Sequence, residues 1–206
     1  MRTVAMVLAG VALLSGGALA SPGGGKGGGT NEEGFITTWL LLAPIPLDAN
    51  QSGADALGKE QIKGEAKLHP KAGDKIQVGG KGLVWKEYKV RDYFFDFNDF
   101  LGQQTEDSVG YAVCYVVADD EVKDVVLKTG SDDQAKVYLN GKEVFKHEQP
   151  RMADKDQDST PDLTLKKGVN VVVFKVVNEK IDWSGCLRFT DKDGNPVKNL
   201  KVQLKP

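Results

Sequence analysis

Hydrophobic residues along this chain fall in short runs that are separated by turn-forming residues. From Phe35 onward, runs rich in Val, Leu, Tyr and Phe alternate with Gly, Asn, Asp and Pro. The runs are residues 35–43, 75–78, 83–90, 109–118, 122–129, 135–139, 142–146, 162–165, 169–177, 186–190 and 198–204. Because no long amphipathic helices alternate with these runs, the pattern predicts an all-β antiparallel sandwich or barrel.

Three segments allow sharper local predictions. Asn140-Gly141 lies between strand-forming residues and predicts a type I′ hairpin, because both residues accept a positive φ. Residues 169–177 are almost continuously apolar, which predicts a strand buried on both faces or at the centre of a sandwich. Residues 54–68 are rich in helix formers but are interrupted by two glycines, so we expect one or two short helical turns.

The first 20 residues have the pattern of a secretory signal peptide. Arg2 precedes an apolar run over residues 4–14, and small residues end in Ala18-Leu19-Ala20. The run is shorter than the roughly 20 residues that a membrane-spanning helix needs. We therefore expect cleavage after Ala20 and a protein that is secreted, periplasmic or extracellular.

Composition divides the rest of the chain. Ten of the 24 glycines lie in the first 34 residues, which predicts a flexible linker over residues 21–34. Residues 35–206 have the size of one globular domain. The net charge of −2, with both signs mixed, gives no support for nucleic-acid binding or a polybasic membrane contact.

Three segments, in order, resemble a known family. Residues 35–46, 130–142 and 165–178, the last followed by Trp183, are similar to the galactose-binding-like jelly-roll domains of secreted bacterial proteins of the planctomycete type. The Ser-Asp-Asp segment at 131–133 is also similar to the carbohydrate-binding domain first named from anthrax protective antigen. The resemblance implies a two-sheet jelly roll with an accessory, non-catalytic role, and it does not name a ligand.

The protective-antigen resemblance also implies a metal. In such domains the paired aspartates coordinate a calcium ion that contacts sugar hydroxyls, since a hard cation prefers carboxylate oxygens. Asp132 and Asp133 occupy the matching positions, and Asn140 could offer a further carbonyl oxygen. The alternative is a strand-connecting turn in which these side chains accept backbone N–H bonds.

A second acidic segment is also a candidate calcium loop. Asp154, Asp156 and Asp158 place carboxylates at every second residue, as at the start of an EF-hand loop. Ser159 and Leu165 stand where such a loop needs Gly and Glu, which favours a solvated loop instead.

Tryptophans are candidate sugar-stacking platforms. Trp39 lies in a hydrophobic run and is expected in the core. Trp85 alternates with charged residues, so strand parity leaves its exposure open. Trp183 lies at a strand entrance, where the family resemblance implies a packing role with some access to a loop-built surface. Trp85 and Trp183 are therefore candidate ligand contacts.

The chain has two cysteines, Cys114 and Cys186, both in predicted strands. An oxidising compartment favours a disulfide between them. The alternative is two buried thiols.

Signals of catalysis are absent from the sequence. His69 and His147 have no metal-ligand spacing, and no Gly-x-Ser-x-Gly motif occurs. We therefore predict a secreted, non-catalytic binding module for an extracellular carbohydrate or cell-surface polymer. The alternative is a structural or protein-interaction component of the cell envelope or extracellular matrix, with no glycan ligand.

Overall fold

The computed structural model describes residues 29–206. The strands are β1 (Thr38–Pro46), β2 (Lys75–Val78), β3 (Lys81–Val84), β4 (Lys86–Lys89), β5 (Phe95–Asp96), β6 (Ser108–Ala118), β7 (Val122–Asp132), β8 (Ala135–Leu139), β9 (Lys142–His147), β10 (Asp158–Leu165), β11 (Gly168–Asn178), β12 (Ser184–Thr190) and β13 (Leu200–Gln203). The helices are α1 (Gly53–Gly58), α2 (Phe97–Leu101) and a 3₁₀ turn (Glu65–Lys67).

The strands form a sandwich of two antiparallel sheets, which confirms the predicted fold class. The large sheet has seven strands in the order β4-β1-β6-β11-β8-β9, with β13 also paired to β6. The small sheet has the order β10-β7-β12-β5. A separate two-stranded hairpin is formed by β2 and β3.

The main core lies between the two sheets. Val172, Phe174 and Val176 of β11 point into it, and Leu187 and Phe189 of β12 meet them from the small sheet. Aromatic rings pack edge to face within this core. The alternation of buried residues fixes which face of each strand looks inward.

A third layer, residues 47–85, covers the outer face of the large sheet and is called the cap below. It contains α1, the 3₁₀ turn and the β2–β3 hairpin. Val171, Val173 and Val177 of β11 pack under it in a second core. The strand predicted over residues 169–177 is therefore buried on both faces, as expected, because the cap seals the second face.

Local predictions agree with the structure at two places. Asn140 and Gly141 have φ values of 53° and 82°, as a type I′ hairpin requires. The helical segment predicted over 54–68 is divided into α1 and the 3₁₀ turn. Helix α2 has no counterpart among the predicted elements; Asp96 caps it by accepting from the Asp99 N–H.

The predicted signal peptide, residues 1–20, and most of the predicted linker lie outside the described residues. The last part of that linker packs against the sandwich. Gly29 O accepts from Thr37 N at 2.8 Å, and Asn31 Nδ2 donates to Asp92 O at 3.0 Å. The packed part of the domain therefore begins before Phe35. Across residues 29–206, no helix combines the length and the apolar character needed to cross a membrane.

Candidate functional site

Asp132 and Asp133 lie where the chain passes from the small sheet to the large one. Asp132 ends β7 and pairs with Ser184 of β12. Asp133 N donates to Val177 O of the large sheet at 3.0 Å. The two residues are joined by a cis peptide bond, and they are 6% and 8% exposed. The carboxylates thus sit together at one end of the sandwich.

The Asp133 carboxylate connects two loops. Its Oδ1 accepts from Arg151 N at 3.3 Å, in the loop of residues 148–157. Its Oδ2 accepts from Glu179 N at 2.9 Å, in the loop of residues 179–183. Burial raises the pKa of Asp133, and these two N–H groups oppose the rise. Asp133 therefore holds both loops at this end of the molecule.

Asp132 has less compensation, since one backbone N–H, that of Ala153, opposes the rise of its pKa. In the part of the chain that the structure describes, no basic side chain forms an ion pair with it. Burial, followed by the charges of Asp133 and Asp182, raises the pKa of Asp132 to about 7. Close to neutral pH this carboxyl group therefore exchanges a proton, and a bound cation would stabilise its ionised form.

This pKa predicts a specific pH dependence of stability. The folded-state pKa is raised above the unfolded value near 4, so the folded state holds the proton more tightly. The stabilisation is complete below about pH 4 and is lost as the pH rises to about 7. Asp132→Asn should remove this slope and, at pH 8, stabilise the protein by about 2 kcal/mol in urea unfolding, with solvent screening taken into account. Asp162→Asn, at an exposed position, should leave the slope intact; an equal effect there would contradict the assignment.

The three aspartates of the second acidic segment are engaged by other groups. Asp156 Oδ1 accepts from Arg188 Nε at 3.0 Å, and Asp158 Oδ2 accepts from Arg151 Nη2 at 2.6 Å. Asp154 Oδ1 accepts from the next backbone N–H at 2.7 Å. Each carboxylate therefore has its own partner. Over residues 29–206, no group of three or more His, Cys, Asp or Glu side chains is arranged to hold a metal ion.

Asn140 lies at the opposite end of β8 from the aspartate pair. Its Oδ1 accepts from Val171 N at 2.9 Å, and its Nδ2 donates to Asn170 Oδ1 at 2.8 Å. These bonds hold the β8–β9 turn against β11. The structure therefore does not bring Asn140 together with Asp132 and Asp133.

Both candidate stacking tryptophans are buried. Trp183 is fully buried, with its ring 4.5 Å from that of Phe97, and Trp85 is 3% exposed in the core under the cap. Neither ring face is open to a sugar, so both belong to the packing of the domain. Trp39 is fully buried, as expected.

The predicted disulfide is wrong: Cys114 and Cys186 are both free and buried. Cys114 points into the core between the sheets. Leu187 points into that core, so its neighbour Cys186 points to the outer face of the small sheet, 3.9 Å from Asp154 O. The backbone of the small sheet separates the two thiols.

The buried thiols should be unreactive in the folded protein. Burial raises the pKa of Cys114 and raises that of Cys186 to about 12, which suppresses the reactive thiolate. N-ethylmaleimide should add to neither cysteine under native conditions and to both in guanidinium without reductant, as read by mass spectrometry. An unlabelled denatured chain with a mass two hydrogens lower would show a disulfide instead.

Sequence reasoning missed the residues that surround the aspartate pair. Arg151 Nη2 donates to Ser131 Oγ at 2.9 Å, and Ser131 Oγ donates to Asp133 O at 3.0 Å. Glu179 and Asp182 approach from the other loop. These residues come from separate segments with no shared motif, so only the fold brings them together.

No family model matches the chain, and no curated protein matches it. Among solved structures, the chain is similar to the PA14 domain of the antifreeze protein MpAFP, with 7% identity, a TM-score of 0.40, and coverage of 91% of this chain and 93% of that one. A likeness of this size does not assign a ligand or an activity.

Proposed function

We propose that this protein is a secreted, non-catalytic binding module for an extracellular carbohydrate or cell-surface polymer, and that Asp132 and Asp133 make a calcium-linked contact with it. The observation that carries the proposal is the pair of adjacent, nearly buried carboxylates, of which Asp132 has no basic partner among the described residues. The secreted location rests on the pattern of residues 1–20.

Electrostatics favours a cation at this end. Asp133, Asp182 and Asp96 all raise the pKa of Asp132 through their charges, after burial. A divalent ion would relieve that repulsion, and calcium keeps coordination positions for neutral oxygens such as sugar hydroxyls. Asp133 has two backbone donors and Asp132 has one, that of Ala153, which favours Asp132 as the principal ligand.

The two loops held by Asp133 also present apolar side chains to solvent. Met152 is 82% exposed and Ile181 is 62% exposed. Met152 follows Arg151, whose N–H binds Asp133, and Ile181 lies two residues beyond Glu179. In place of the buried tryptophans, these side chains would contact the C–H faces of a sugar ring. The same exposed residues would suit a protein partner, which supports the alternative of an envelope or matrix component.

A polysaccharide pull-down with neutral glycans, in calcium and in a chelator, tests the proposal. We expect retention in calcium that is lost in chelator and in the Asp132→Asn/Asp133→Asn double variant. Asp162→Asn should retain binding because its exposed side chain lies outside the site. If no glycan is retained in either condition, the binding-module proposal fails. If glycan is retained equally in calcium and in chelator, the calcium-linked contact is wrong but the binding-module proposal stands.

A further inference from the structure

One part of the cap, residues 63–81, carries a concentration of positive charge, whereas the rest of the cap has Lys59 against Asp48, Asp55 and Glu60. Between residues 63 and 81 there are five lysines and two acidic residues, in a chain whose net charge is −2. All five lysines are exposed. We call this set the lysine surface: Lys63, Lys67, Lys71, Lys75 and Lys81.

Neither acidic residue of this stretch neutralises the lysine surface. Glu65 is 3% exposed and pairs with Lys175 beneath the cap at 3.2 Å. Asp74 is half-buried and accepts from the backbone N–H of Lys71 at 3.0 Å. The ion pairs of residues 29–206 include none of the five lysines, although many exposed lysines elsewhere are paired.

The lysines belong to a segment of the cap that is packed and hydrogen-bonded against the large sheet. Ile76 and Val78 of β2 pack down on the second core, so Lys75 and Gln77 face outward by strand alternation. Tyr115 Oη donates to Pro70 O at 2.5 Å and ties the segment before the hairpin to the large sheet. The exposed lysines therefore project from an ordered layer, with Lys75 on the outward face of the hairpin and Lys81, which pairs with Val78, at its end.

The chemistry of this face selects among polyanions. The aromatic ring of Trp85 is buried, so the cap offers nucleic-acid bases at most the ring of His69 on which to stack. The large hydrophobic residues that the structure exposes, Met152, Val169 and Ile181, lie outside the cap, so nothing on it would insert into a membrane. Residues 47–85 contain no arginine, the residue suited to bidentate phosphate contacts. Flexible lysine charges fit a hydrated chain of carboxylate or sulfate groups.

We propose that the lysine surface binds an acidic polysaccharide. The inference rests on the proposed function for the extracellular nature of the polymer, but its surface is separate from Asp132 and Asp133. It lies on the cap, whereas the aspartate pair lies where β7 passes to β8. It therefore needs no calcium.

Titration of the full-length chain with dextran sulfate, polygalacturonate and neutral dextran, all in chelator, tests this proposal. We expect both polyanions to bind, neutral dextran not to bind, and the affinity to fall at least about tenfold as salt rises from about 50 mM to about 200 mM. Lys67→Gln/Lys71→Gln/Lys75→Gln should weaken polyanion binding at least about tenfold, with thermal unfolding unchanged because the side chains are exposed.

The matched control changes three exposed lysines outside the cap. Lys166→Gln/Lys192→Gln/Lys198→Gln removes the same charge and should weaken binding less than about twofold. Equal losses in the two triple variants would overturn the proposal. Tighter binding of duplex DNA or of phosphatidylserine vesicles at the same ionic strength would overturn the choice of a polysaccharide.

The polyanion-binding test can succeed or fail independently of the calcium-dependent glycan test of the proposed function. The Asp132→Asn/Asp133→Asn variant should bind dextran sulfate as the unmodified protein does. If no calcium-dependent glycan retention is seen while polyanion binding persists, the proposal for the aspartate pair is wrong and the proposal for the lysine surface is supported. Loss of polyanion binding in the aspartate variant would contradict the separation of the two surfaces.

Discussion

Lys175→Met should destabilise the protein by about 3 kcal/mol or more, measured by urea unfolding at pH 7. Lys175 is fully buried at the centre of β11, and its Nζ donates to Leu57 O at 3.1 Å and to Lys59 O at 2.6 Å. It also contacts Glu65, whose carboxylate accepts from the hydroxyls of Tyr111 and Tyr138. Removing the ammonium leaves a buried carboxylate without its counter-charge and two carbonyls without a donor.

Burial lowers the pKa of Lys175, and the charge of Glu65 opposes that shift. The variant should therefore loosen the cap, and trypsin should cut at the cap lysines more quickly than in the unmodified protein. Lys180→Met, at an exposed lysine paired with Glu106, is the control and should change neither measurement. Adding Glu65→Leu to Lys175→Met should recover part of the loss, because both charges then leave the core. A single variant as stable as the control would refute this role for Lys175.

Gly130→Ala should cost about 3 kcal/mol in the same assay. A Cβ at Gly130 would lie 1.8 Å from Asp154 O, a backbone atom, and 3.2 Å from Cys186 Sγ. The loop of residues 148–157 would have to move away from the small sheet. The bonds of Arg188 to Asp156 would be strained with it.

Gly58→Ala is the matched control for this change. Nothing lies within 4 Å of a Cβ at Gly58, which is helical, so the change should be neutral or slightly stabilising. In Gly130→Ala, the Cys186 thiol beneath the displaced loop should also become reactive toward N-ethylmaleimide. An alanine variant with unchanged stability and an unreactive thiol would show that the loop accommodates the methyl group freely.

The strands were predictable because their signals are local. Alternating β-branched and aromatic residues mark the strands, and Asn140-Gly141 marks its hairpin without reference to the rest of the chain. A strand-connecting turn at Asp132 and Asp133 was one of two alternatives that the sequence left open, but which two sheets the turn connects depends on the whole fold. Their electrostatic state could not be predicted, since it depends on Asp182 and on the loop around Arg151.

The cap was not predictable from pattern alone. Its inward-facing residues, such as Ile62 and Ile76, are widely spaced in a polar stretch, and their partners lie in remote strands. The disulfide prediction failed for a related reason: strand parity sets Cys186 opposite to Leu187, but only the fold shows which of them faces the core. Trp183 has the packing role that the resemblance implies, but no access to solvent, because its ring fills the space over Gly110, where a Cβ would lie 2.9 Å from it.

The cap begins and ends on neighbouring strands. Pro46 closes β1, Lys86 opens β4, and these two strands pair antiparallel in the large sheet. The cap is thus an enlarged connection between two antiparallel neighbours, in which Lys86 lies opposite Leu41 and β1 runs on to Pro46 beside β6. Residues on its solvent side can be exchanged, and its loops lengthened or shortened, without altering the strand register of the two sheets of the sandwich. Evolution can therefore diversify the charge and length of this face while the aspartate end of the sandwich stays unchanged.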